Sequence, residues 1–173
     1  MANFSITKEF ANVGDIMRNY NFDLLIPAIE DVTTDDLRLR VRNAVLPGRS
    51  NEPIESNFFG MKQIYAGRAV FTNALPILFE EFEDRKVSKA LYAWQQKIFD
   101  TKTAGASLAE DKKAVSETIV LRLYKNNGEP VETNGKIYFR NAWPSSVEDV
   151  SLDYTGNESI KISSVFTFDT WHY

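Results

Sequence analysis

The sequence predicts a mainly β, α+β protein: an antiparallel β-sandwich or half-open barrel of about seven or eight strands, with one flanking amphipathic helix and one extended loop or hairpin. Three observations carry that expectation. Most apolar residues alternate with polar ones at period two, one stretch alone has the three-four spacing of a helix, and a long irregular segment, 44–67, interrupts the strand patterns.

The first strand is read at "NFDLLIPAI", ended by Pro27, with the acidic "EDVTTDD" as a turn or loop leading to its partner strand. In "LRLRVR", Leu37, Leu39 and Val41 fall on one face and Arg38, Arg40 and Arg42 on the other, so a half-buried partner strand is expected there. Residues 44–67, "AVLPGRSNEPIESNFFGMKQIYAG", have no period of their own yet carry Ile54, Phe58, Phe59 and Met61. Segments of that length inside compact domains usually work or are disordered. "GRAVFTNALPILFEEFE" resumes the strand pattern, with Leu75, Ile77 and Phe79 alternating around Pro76, a residue expected at a strand start or on an edge.

The helix is placed at 85–99. In "DRKVSKALYAWQQKIFD", Val87, Leu91, Trp94 and Ile98 draw an apolar stripe beside Ala90, Asp84 is the expected cap, and Lys86, Lys89, Gln96 and Lys97 face outward. The polar "TKTAGASLAEDKK" after it reads as an exposed mobile loop. Beyond it, "ETIVLRLY" buries Ile119, Leu121 and Leu123, and Asn127-Gly128 predicts a tight type I′ turn into "GKIYFRNAW". A further strand is expected at "VSLDY", reversed by Gly156-Asn157. The last, "SIKISSVFTFDTW", sets Ile160, Ile162, Phe166 and Phe168 against Lys161, Ser163, Thr167 and Asp169, with Ser164 interrupting the apolar face.

Composition narrows function. The 173 residues fit one domain, and a net charge of −4 gives no general attraction for nucleic acid. There is no cysteine, which rules out disulfides, thiolate metal sites and thiol nucleophiles. His172 is the only histidine and is expected to be solvated or packed with the chain end. No catalytic, metal-binding or cofactor-binding residues are assigned: the acidic run Glu80, Glu81, Glu83, Asp84 reads as a solvated rim, and neither Gly48 nor Gly60 opens a phosphate loop. No secretion signal or membrane anchor is legible. Arg38, Arg40, Arg42 and Arg49 form a local reversal of charge without interleaved aromatic residues. That row reads either as a solvated face or as an edge complementary to "EEFED" (Glu80, Glu81, Asp84) or "EDVTTDD" of a second copy in a ring.

The run "NAWPSSVEDVSLDYTGNESIKISSVFTFDTW" resembles the closing segment of tail tube proteins of contractile-tailed bacteriophages, with a Trp-Pro pair, Leu-Asp-aromatic, a short turn and a long last strand. "NFDLLI", "NAVLPG", "YAG" and "ALYAWQQ" follow in that family's order, so the likeness runs from about Asn21 to Trp171. The resemblance implies a structural virion protein without catalysis or cofactor. Copies would form hexameric rings stacked as the inner tube of a contractile tail, assembled in the host bacterial cytoplasm and partnered by sheath, baseplate and tail-terminator proteins. Double-stranded DNA would pass through without specific binding. It assigns contacts between subunits or rings to Phe4, Ile6 and Phe10 in an amino-terminal arm (1–18), and to Arg49, Ile54, Phe58, Phe59, Gly60 and Met61 in the 44–67 segment. Lys161, Ser163, Thr167 and Asp169 become a candidate lumen face. The alternatives are a baseplate tube initiator, the tube of a phage-tail-like injection device and, from another class, a monomeric β-sandwich binding module or a small enzyme using "EEFED".

Overall fold

The structure, a computed structural model, describes residues 15–100, 105–106 and 115–173. The elements in chain order are β1 (Phe22–Leu25), α1 (Thr34–Arg38), β2 (Val41–Ala44), β3 (Arg49–Phe58), β4 (Met61–Phe71), β5 (Ala74–Glu80), α2 (Lys86–Ile98), β6 (Phe99–Asp100), β7 (Gly105–Ala106), β8 (Glu117–Leu123), β9 (Lys136–Val147), β10 (Lys161–Thr167) and β11 (Thr170–His172). Seven strands form one antiparallel path, β1-β8-β9-β10-β5-β2, with β11 also on β9; β3-β4 and β6-β7 are separate pairs.

The twelve-residue β9 makes two layers of this path. Its first half pairs with β8 and β11, and its second half with β10. The corner falls at Asn141, whose φ of 54° breaks the extended run and whose Nδ2 donates to Asp169 Oδ2 at 2.8 Å. Asn tolerates that left-handed conformation better than most residues. β1 and β2, the two ends of the path, do not pair with each other, so the sheet stays half-open.

The period-two pattern buries what it predicts. Leu75, Ile77 and Phe79 of β5, Ile119 and Leu121 of β8, Ile137 and Phe139 of β9, and Ile162 and Phe166 of β10 are all buried. Helix α2 lays Val87, Ala90, Leu91 and Trp94 on this core, with Trp94 edge-on to Phe166 and its Nε1 donating to the Val115 carbonyl at 2.6 Å. Buried Ser164 donates its hydroxyl to the Ser146 carbonyl at 2.9 Å, which is how a polar residue interrupts the apolar face without loss.

Several expectations are corrected. "LRLRVR" is not one strand. Thr33 and Asp36 close a reciprocal capping box, "TTDD" thereby opens α1 rather than forming a turn, and Leu39 is left exposed while Arg40 is buried. β1 accordingly pairs with β8, not with this segment. "VSLDY" holds no strand: residues 148–160 form an irregular excursion in which Leu152 and Tyr154 are exposed. The last strand breaks after Thr167 and resumes at Thr170. At Asn127-Gly128 only Gly128 is left-handed, at φ 85°, and its N–H closes on the Lys125 carbonyl at 3.0 Å. That is a type I turn followed by a left-handed glycine, rather than type I′. Pro76 is the third residue of β5, just where β2 ends; its carbonyl accepts from Val45 N–H, so the missing donor falls on the side where pairing stops.

Candidate assembly surfaces

The segment 44–67, extended to Phe71, is a hairpin that stands off the sheet. β3 and β4 pair from Arg49↔Phe71 to Phe58↔Met61. Ten residues at about 3.4 Å each give a reach of roughly 34 Å. The chain reverses at Phe59 and Gly60, at φ 48° and 76°. Pleat and register set Phe58, Met61, Ile54 and Tyr65 on one face, with Ser56 and Gln63 between them. The other face carries Asn57, Glu55, Lys62 and Ile64, with Lys62 Nζ 2.5 Å from Glu55. Nearly every residue of both strands is exposed, Phe59 to 94% and Met61 to 71%. At the base, Arg49 lies over the Phe71 ring at 5.2 Å. The register slips at Glu52, where Arg68 Nε donates to the Glu52 carboxylate at 2.8 Å. Gly67 sits against the Glu52 carbonyl so closely that a β-carbon would collide with it.

The arginine row and the acidic rim meet inside one chain. Arg40 makes two 2.6 Å hydrogen bonds to the Asp84 carboxylate and lies 3.7 Å from Glu81. Its guanidinium also covers the Phe82 ring at 5.0 Å. Arg42 pairs with Glu80, and Arg38 lies 3.5 Å from Asp23 of β1. These pairings engage within the subunit the groups that a complementary edge between copies would use. They also reveal what sequence reading missed. Glu81, its side chain only 4% exposed, accepts from Ser88 N–H at 2.7 Å, Ser88 Oγ at 2.6 Å and Val87 N–H at 3.3 Å. It is the cap of α2, in place of the expected Asp84, which bonds Lys86 N–H only at 3.4 Å.

The same cluster reaches α1. Lys86 Nζ is 2.6 Å from Asp36, and hydrogen bonds from Lys86 and Thr33 hold the Asp36 carboxyl down to about 2 from its ordinary 3.8. Asp84 is lowered chiefly by its hydrogen bond to Arg40. A hydrogen bond from Ser159, then one from Arg42, lower Glu80.

Of the candidate lumen residues, Lys161, Ser163 and Thr167 share the outward face of β10. Asp169 does not: it lies in the break before β11, where Asn141 bonds it. His172 is exposed and stacks on Tyr138 with centroids 5.4 Å apart. Phe4, Ile6 and Phe10, and most of the "TKTAGASLAEDKK" loop, lie outside the described residues. The 148–160 excursion carries Glu148, Asp149, Asp153 and Glu158 with no basic residue, equal to the chain's whole net charge of −4. Among the described residues no helix is long and apolar enough to cross a membrane, and no group of three or more His, Asp or Glu is arranged to hold a metal ion.

The family model described as "Phage tail tube protein" matches residues 1–173. No curated protein matches the chain by sequence. Among solved structures, one similar chain is in the PVC sheath-tube complex of an extracellular contractile injection system in the extended state. It has TM-score 0.65 and 16% identity, with 98% of this chain and 97% of that one covered. Another is in the anti-feeding prophage cap, a tube-terminating cap, with TM-score 0.65, 17% identity and the same two coverages of 98% and 97%. A third is in the anti-feeding prophage baseplate, 6-fold symmetrised, with TM-score 0.58, 11% identity and coverage of 92% and 95%. At these identities the likeness is one of fold.

Proposed function

Because the chain belongs to the phage tail tube protein family, we propose that its copies form hexameric rings that stack into the inner tube of a contractile tail. The role is structural, and the assembled tube is the conduit through which double-stranded DNA passes to the host without specific binding. Residues 1–173 act as one tube domain, built in the host cytoplasm, with the hairpin and the first 18 residues as arms toward neighbouring copies. Sheath, baseplate and terminator proteins are its further partners. The sixfold symmetrisation of a baseplate that contains a similar fold supports the ring order.

One observation carries the reading: a hairpin with one apolar face, held clear of the core and exposed along its whole length. Two-stranded hairpins are marginal by themselves in water, and unpaired strand edges invite association. In a ring the edge and the apolar face become the joint. The test is the double variant Phe58→Ser, Phe59→Ser. Its melting should match the parent, because neither ring touches the buried core, while sedimentation should show loss of every assembled species. Normal tubes from this variant would contradict the role given to the hairpin.

A further inference from the structure

The hairpin ends in a residue that its turn does not favour. A two-residue reversal with both central residues at positive φ takes Asn-Gly or Gly-Gly most readily. Here the first position is Phe59, at φ 48°, a conformation in which a β-carbon crowds the backbone. The residue is also 94% exposed, and its ring meets Phe58 edge-on at 5.1 Å. A backbone cost and a solvation cost thus fall on one side chain. Such an outlier points to a use for the residue.

A recess of matching apolar character lies at the far end of the main sheet, away from the base of the hairpin. β5 leaves the hairpin at Ala74 and ends at Glu80, beside the start of β10. At that end a groove of about 530 Å³ opens between α2 and the 148–160 excursion, lined by Leu91, Tyr92, Gln95, Val147, Val150 and Ile162. Tyr92 is 63% and Val150 39% exposed, so apolar surface is left open there too. Asp84, Arg85, Ser88 and Lys89 complete its lining, with Asp84 already held by Arg40, so the match between tip and groove is one of apolar surface rather than of charge.

The hairpin joins the main sheet at the Ala74 end of β5 and the groove lies toward its Glu80 end, a placement that favours a second copy of the chain as the occupant. Copies shifted along the strand direction can join tip to groove again and again, a heterologous contact that leaves both ends open and propagates. We infer that Phe59 of one copy seats in the α2 groove of the next. The inference rests on the assembly reading above and gives that reading its receiving surface.

The chain has no cysteine, so introduced thiols report cleanly. Asn57→Cys beside the tip and Gln95→Cys in the groove leave Phe59 itself intact. In tubes treated with a short bismaleimide, the double variant should give a ladder of covalent multimers that neither single variant gives. Tubes without a ladder overturn the groove as receptor and leave the tube reading standing; failure of the parent to assemble beside tail-initiation complexes overturns both. Phe59→Asn separates anchor from turn, because Asn suits that turn better. Its melting temperature should equal or exceed the parent's while assembly falls by roughly tenfold or more. Unchanged assembly overturns the inference.

Discussion

Arg40 ties the start of β2 to the segment that leads into α2. It is 8% exposed, binds Asp84 through both terminal nitrogens and lies beside Glu81, whose carboxylate caps α2. Arg40→Ala leaves that buried carboxylate without its cation and should destabilise the fold by about 3 kcal/mol, read from urea unfolding. Asp36 adds a pH dependence whose sign is fixed. Its folded-state value of about 2 lies below the ordinary 3.8, so its contribution is present above 3.8 and is lost as pH falls toward 2. The melting difference between parent and Asp36→Asn should therefore be largest near neutrality and vanish at the acid end of that window. A difference independent of pH would contradict it. Residues such as Phe79, Ile119 and Phe166 were legible in the sequence because one face of their strands is buried and burial imposes alternation. Arg40 was not. An arginine at alternating spacing reads as a wet face, and its partners lie more than forty positions away. Thr33 and Asp36 did carry a readable sign, a capping box in which Asp stands in the place usual for Glu.

Among elements, α2 and the strands β5, β8 and β10 follow from sequence patterns, whereas residues 44–67 read as an extended loop or hairpin with apolar anchors and no period that places its strands. The reason is physical. β3 and β4 are exposed on both faces, so the selection that makes a strand alternate is weak, and Pro53 and the slip at Glu52 blur what remains. The 148–160 excursion misled in the opposite sense, since Val150, Leu152 and Tyr154 alternate without being buried. The close approach at Gly67 is not legible in the sequence either, because it leaves no mark beyond the glycine itself. Gly67→Ala should open the base of the hairpin. Amide exchange across β3 and β4 should accelerate by about tenfold, with the core strands unchanged. Equal protection in both proteins would show that the slip at Glu52 tolerates a β-carbon.

At the scale of the whole molecule, a two-layer sheet covered by α2 holds the buried core, and an exposed arm, to which we assign the contacts between copies, stands apart from it. The core cluster needs nothing from the hairpin, so the fold can stand while the arm waits for a partner. That division explains why the sandwich is legible through its periodicity and the exposed hairpin only through apolar residues without a period. The charge of the chain obeys the same division: the cations Arg40 and Arg42 are spent within the core frame, and the excess carboxylates sit on the excursion. The most direct measurement is electron microscopy of the concentrated protein, alone and with tail-initiation complexes. The account predicts sixfold rings with a central hole, stacked into tubes, with density for the hairpin between adjacent copies. Monomers that persist with initiation complexes present would contradict it.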